Sequence, residues 1–303
     1  MLKRQAVLIV AAVLTVAGSQ APAQALPRFS RPFQVPRGDT VTPAYEGWYR
    51  NQDGTISVSF GYYNRNSEEI LEIPIGPDNR LEPESVAQAQ PEVFQPGRHP
   101  GTFSVTIPEG YRGEVWWTLR IRGEQVSIPS NLGAEYRIDA LGPTIMGNTP
   151  PRVRFSVSDE ASAGPGGQVT GPLYGKVGAP VRFSVWLEDD GLGNARGGER
   201  DQRLTENAIA NLGFSKFRGP GQVVFADPSL QWVEDDNRST KSTTAIFDTP
   251  GRYRIRALAS DVSGTSGAEQ CCWTNSFIDV EIVGSADVST PEVALSVAEK
   301  TTR

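Results

Sequence analysis

AIFDTPGRYRIRALASD, residues 245–261, decides the fold class of this chain. Pro250 and Gly251 supply a turn, after which Tyr253, Ile255, Ala257 and Ala259 alternate with Arg252, Arg254 and Arg256. A period of two sends these sets to opposite faces of a strand, one suited to a core and the other to water. A strand with one apolar face needs a second sheet to cover it, so the stretch predicts a β-sandwich.

The same alternation recurs on both sides. Downstream, Ile278, Val280 and Ile282 face inward in a last strand. Upstream, Val153, Phe155 and Val157 open a second domain, and Val181, Phe183, Val185 and Leu187 continue it after a glycine-rich loop over 164–175. The charged segment 189–212 leaves room for a short helix near 204–210. In the first half, Ile56, Val58, Phe60 and Tyr62 follow the hairpin signal Asp53-Gly54. Leu71, Ile73 and Ile75 form the next strand, and residues 80–101 read as a polar loop. Phe103, Val105 and Ile107 then pair in a predicted hairpin with Val115, Trp117, Leu119 and Ile121, and Tyr136 and Ile138 form a closing strand. The fold class is all-β, with two tandem β-sandwich domains at 44–141 and 152–283, separated by a linker at 142–151. An extended arm occupies 26–43 and a disordered tail 284–303.

The composition agrees, with 31 Gly and 23 Pro punctuating short strands. Lys3 and Arg4 precede an apolar run from Ala6 to Gly18, and Ala23-Gln24-Ala25 is a small-x-small cleavage site, so 1–25 reads as a signal peptide and the product as exported, periplasmic or extracellular. Lys3 and Arg4 leave with the signal, so 27 of the 29 basic residues remain against 35 acidic ones, a formal charge of −8. That balance argues against nucleic acid or an anionic membrane as the main partner. No later run is long and apolar enough for a membrane span.

Three segments together, FSKFRGPGQVVF (214–225), TTAIFDTPGRYRIRALASD (243–261) and FIDVEIV (277–283), resemble the polycystic-kidney-disease-type (PKD-like) immunoglobulin fold of exported bacterial proteins. The family pattern W-x-K-x-x-GPG-x-V-x-F is met with Phe214 in place of its tryptophan. Phe247, Pro250-Gly251, Tyr253 and Asp261 match the second motif. The resemblance covers residues 153–283 and implies an immunoglobulin-like sandwich. GWYRNQDGTISVSFGYYNRN (47–66) looks like an uncharacterised exported bacterial β-domain, which implies no function.

Candidate chemistry is sparse. His99 is the only histidine, lies in the turn-like QPGRHPG, and has neither a G-x-S-x-G elbow nor an H-E-x-x-H helix beside it, so it reads as a solvated loop residue and the chain as a non-enzyme. Asp189 and Asp190 follow one strand and Asp261 ends another, an arrangement of hard oxygen donors that suits calcium; solvated turn carboxylates are the competing account. No cofactor is required. Trp116, Arg120 and Arg122 point outward together if Trp117 points in, forming an aromatic and cationic platform for a sugar ring or peptide, unless packing covers Trp116. Adjacent Cys271 and Cys272 are either a vicinal disulfide or one buried and one exposed thiol. The expected function is an interaction or adhesion module with a protein or glycan surface ligand. The alternative is a carbohydrate-binding accessory module or a glycoside-acting hydrolase.

Overall fold

The computed structural model describes residues 35–138, 147–192, 207–261 and 272–284. The signal peptide, the arm up to residue 34, the tail and Cys271 lie outside them. Among the described residues, seventeen strands carry the fold. The first half holds β1 (Val41–Arg50), β2 (Ile56–Asn64), β3 (Leu71–Glu72), β4 (Asn79–Glu82), β5 (Val93–Phe94), β6 (Gly97–Ile107), β7 (Trp116–Ile121) and β8 (Glu124–Pro129). The second holds β9 (Arg152–Arg154), β10 (Gln168–Lys176), β11 (Pro180–Glu188), β12 (Ala208–Arg218), β13 (Val223–Phe225), β14 (Ser229–Val233), β15 (Ser239–Phe247), β16 (Gly251–Asp261) and β17 (Trp273–Val283).

In the first half, sheet β1-β2-β6 faces sheet β4-β7-β8, with the small pair β3-β5 beside them. The Asp53-Gly54 turn joins β1 to β2 as expected, with Gly54 at a φ of +87°. The expected hairpin of 103–107 with 115–121 does not form. β6 pairs with β2, whereas β7 pairs with β4 and β8. Each strand has one strongly apolar face, and placing them in opposite sheets buries both: Phe103 and Trp117 meet edge to face across the core, with ring centroids 4.9 Å apart. Trp117 is fully buried, touches Phe60 and Phe94 as well, and donates its indole N–H to Asn79 Oδ1 at 3.1 Å.

The predicted loop over 80–101 is instead built in part into β4, β5 and the start of β6, where buried Asn79 and Gln90 hold nearby carbonyls and apolar alternation is missing. His99 belongs to β6 and is not a solvated loop residue. Its ring stacks on Tyr62 at 4.8 Å, and Nε2 donates to the Pro96 carbonyl at 3.0 Å. The closing strand at 136–138 is replaced by a 3-10 turn, Ala134–Tyr136, after which the Ile138 N–H reaches the Trp48 carbonyl.

In the second half, sheet β10-β17-β16-β12-β14 covers sheet β13-β15-β11-β9. Phe183, Leu187, Leu212, Phe247, Tyr253, Ile255, Ile278 and Val280 share their core, so the apolar face read from 245–261 is buried as expected. Three local expectations change. The opening strand, expected to run through Val153, Phe155 and Val157, ends at Arg154, and Val157 is 90% exposed. Ala208–Ala210 open β12 and form no helix, since β12 is held between β14 and β16. The glycine-rich 164–175 loop becomes mostly β10, an edge strand that runs parallel to β17.

The arginine face of β16 does not all meet water. Arg256 is buried at the joint between the two sandwiches. Phe217 of β12 and Phe277 of β17 enter the core of the first half, and the Phe217 carbonyl accepts from the Glu92 N–H. The described residues all belong to a single compact unit. This explains why β2 is buried on both faces: Ser57 and Ser59 are small enough to lie under the second sandwich, where the neighbouring Ser104 hydroxyl donates to the Pro165 carbonyl.

Candidate functional site

The acidic cluster forms at one end of the second sandwich, where β11 and β16 both finish. Asp189 is 6% exposed and Asp261 is fully buried. Asn237 clamps the Asp189 backbone, accepting from its N–H at 3.0 Å and donating to its carbonyl at 2.8 Å. One carboxylate oxygen of Asp189, Oδ2, accepts from the Gly191 N–H at 2.8 Å. The other, Oδ1, is buried and has no hydrogen-bond partner. Burial pushes the Asp189 carboxyl up to about 7 against the pull of the Gly191 N–H, and the charges of Asp261 and Asp190 add to the rise. Asn148 arrives from the segment between the sandwiches and donates to Asp261 Oδ2 at 2.5 Å. Asp190 turns away: its Oδ2 accepts from the Thr149 N–H and hydroxyl, and its Oδ1 accepts from the Leu192 N–H. Of the three acids named from the sequence, two therefore converge, and a buried asparagine joins them that no spacing rule pointed to.

Trp116, at the start of β7, is 38% exposed. Arg120 shares its face but pairs with Asp78 and donates to Gln125 Oε1 at 2.7 Å. Between them Thr118 is buried and hydrogen-bonded to Ser127. Arg122 sits in the β7–β8 turn at a φ of +52°, and its guanidinium reaches back to Glu69 and the Asp39 carbonyl. The three side chains thus do not form a continuous platform. Cys272 is disulfide-bonded, buried, and has a φ of +74°.

The joint creates a further site. Arg256 donates from Nε to Asn275 Oδ1 at 2.9 Å and from a terminal nitrogen to the Gly101 carbonyl at 2.8 Å. Asn275 Nδ2 donates to that same carbonyl and to Pro165. Gly101 has a φ of +53°, and a Cβ there would lie 2.6 Å from the Trp273 ring, so only glycine allows this approach. Burial lowers the Arg256 guanidinium to about 10. Beside the joint opens a groove of about 610 Å³ lined by Glu92 from the first half and by Tyr174, Arg218, Arg252, Asp279 and Glu281 from the second. Tyr174 is 73% exposed. Arg254 grips Asp279 with two parallel bonds of 2.7 and 2.9 Å, and Arg218 donates to the Gln88 and Gln90 carbonyls, so the groove's floor is rigid.

At the turn that feeds β16, the Tyr253 hydroxyl donates to the Thr249 carbonyl at 2.5 Å while its ring packs edge to face on Phe247 at 4.7 Å. A tyrosine tied back to the corner it follows marks this class of sandwich. The architecture is immunoglobulin-like. No family model matches the chain, and no curated protein matches it. Among solved structures, the chain is similar to the D00-D0 domain of intimin, at 11% identity over 80% of this chain and 100% of that one, with a TM-score of 0.26. It is also similar to the Yersinia pseudotuberculosis adhesin InvE, at 10% identity over 80% of this chain and 58% of that one, with a TM-score of 0.24. Domains 4 and 5 of the S-layer protein SbsC match at 12% identity over 74% and 90%, with a TM-score of 0.23. Likenesses this distant carry no inference about function. Among the described residues, no helix is long and apolar enough to cross a membrane.

Proposed function

We propose that this chain is an exported, non-enzymatic interaction module of the cell envelope or extracellular space, with a PKD-like second sandwich, that holds a partner polypeptide in the groove at its joint. The observation that carries this reading is the pairing of a rigid floor with a lining of mixed character, from which Tyr174 and Arg252 stand exposed. Tyr174 offers an aromatic face, Arg218 and Arg252 offer positive charge, and Glu92 and Glu281 offer negative charge. Such a lining complements a peptide with residues of both signs, and aromatic and arginine side chains are the usual anchors of such contacts. Export is supported by the Lys3-Arg4, Ala6–Gly18 and Ala23-Gln24-Ala25 pattern. The absence of enzymatic chemistry is supported by His99, whose ring is committed to Tyr62 and Pro96. The PKD-like reading is supported by the Phe247–Tyr253 contact and the Tyr253–Thr249 bond, which give its matched motif a structural role.

The half-exposed Trp116 favours a second reading, a carbohydrate-binding module. A peptide and glycan array probed with residues 26–303 separates the two. Peptide binding that falls about tenfold or more in Tyr174→Ala and Arg252→Glu, but not in Trp116→Ala, is the expected result. Saccharide binding lost only in Trp116→Ala would favour the second reading, and turnover of any polysaccharide would overturn the non-enzymatic one.

A further inference from the structure

We infer that the outward face of sheet β13-β15-β11-β9 is a docking surface for an extended anionic polysaccharide, a chain whose carboxylate or sulfate groups recur along its length. The joint lies against the opposite sheet of the second sandwich, so this site is independent of the groove. Its composition follows from the pleat. On β11, Val181, Phe183, Val185 and Leu187 fill the core, so Arg182, Ser184, Trp186 and Glu188 point outward. On β9, Val153 points inward, and Arg152 and Arg154 point outward. Register then sets Arg154 beside Trp186 and Arg152 beside Glu188. Arg238, just before β15, reaches the same place: it and Arg152 both pair with Glu188, at 2.5 and 3.2 Å.

Charge decides what the face can hold. Glu188 is the only carboxylate on the four strands, so four arginines stand against one acid. Arg154 and Arg182 form no ion pair among the described residues. The Arg154 guanidinium lies 4.3 Å from the Trp186 ring centroid, and Arg182 donates to the Ser242 hydroxyl at 2.8 Å, contacts that hold both groups in place without neutralising them. The whole chain carries a formal charge of −6, so this excess is local, and a positive face on an acidic chain attracts polyanions. Arg182, Arg154 and Arg152 follow β11 from position 182 to position 188, about 20 Å at the rise of a strand, so the charge forms a track and not a point. The ground between the arginines favours a saccharide over an acidic peptide. Ser184 pairs with Ser242, Trp186 with Thr240 and Arg182 with Thr244, so short hydroxyls separate the charges. They offer donors and acceptors to a polyhydroxylated chain and raise no wall to grip a peptide side chain. The Trp186 N–H donates to the Arg238 carbonyl at 2.6 Å, which fixes a half-buried ring within the track as an apolar surface for a sugar ring.

Biolayer interferometry with residues 26–303 tests the surface, using heparin and polygalacturonate as the sulfated and carboxylated probes and dextran and poly-glutamate as controls. At about 50 mM salt the two anionic glycans should bind and dextran should not, and about 0.5 M salt should remove most of the binding by screening exposed charges. Arg154→Ala combined with Arg182→Ala should weaken binding about tenfold or more. Arg50→Ala combined with Arg80→Ala removes equal charge from arginines paired to Glu109 and Glu82 in the first sandwich, and should leave affinity within about twofold. Arg182→Glu, a single change at an exposed position, should also weaken binding and keeps the test decisive if the double variant melts early. Failure of both anionic glycans to bind, equal binding by dextran, or tighter binding by poly-glutamate would overturn the assignment. So would full affinity in Arg182→Glu or in a folded Arg154 and Arg182 double variant.

Discussion

Arg256→Ala should cost about 2–4 kcal/mol and turn one calorimetric melting transition into two. Arg256 fills a buried position at the joint and holds the Asn275 amide oxygen and the Gly101 carbonyl. Truncation leaves the Asn275 oxygen buried without its donor and opens a void next to Tyr62. The wild-type chain is expected to unfold in one step because Phe217 and Phe277 of the second sandwich help complete the core of the first. No carboxylate pairs with Arg256 among the described residues, and burial already holds its guanidinium down at about 10. Arg256→Met therefore tests whether shape or charge closes the joint. It keeps most of the volume and removes the desolvation penalty, so it should cost less than the alanine variant. If Arg256→Ala still melts in a single transition at the wild-type temperature, the remaining contacts across the joint, Phe217, Phe277 and the Asn275 and Arg218 hydrogen bonds, couple the two halves without it.

Trp117→Ala should cost about 3–5 kcal/mol, measured by chemical denaturation. The indole is the hub of the first core, in ring contact with Phe60, Phe94 and Phe103. Its removal also strands Asn79, which otherwise accepts from the indole while its amide binds the Ile73 and Pro91 carbonyls. Trp117→Phe should recover most of the packing but not the hydrogen bond, for a loss nearer 1–2 kcal/mol. Trp116→Ala, one residue away on the opposite face, should change stability by less than about 1 kcal/mol. Equal losses at 116 and 117 would contradict the assignment of faces in β7.

Period-two alternation was enough to place Tyr253, Ile255, Ala257 and Ala259 inward and to find the turn before them. It was enough for β2, β11 and β17 as well, because the face that enters a sandwich core must be apolar and so shows in the sequence, whatever covers the other face. It failed where burial has another source. β4 and β5 bound a segment secured by the buried amides of Asn79 and Gln90, and β10 is an edge strand held by backbone pairing to β17. Local pattern also could not say which strands pair, so 103–107 and 115–121, adjacent in sequence, were expected to be neighbours and instead face each other across a core.

The acidic cluster divides in the same way. Asp189 and Asp261 were visible as carboxylates at strand ends. That Asp190 turns to Thr149, and that Asn148 joins from outside the sandwich, depends on how loops far apart in sequence are brought together. The groove was not visible at all, since Glu92 and Tyr174 are 82 residues apart and carry no shared motif. By itself, then, the sequence determined the all-β class, the inward faces and the turn chemistry, because these follow from the pleat and the backbone preferences of a few residues. The tertiary structure alone decided that the arginine face of β16 is half sealed. Arg254 lines a groove and Arg256 is buried at the joint, because a second sandwich covers the surface that period two had assigned to water.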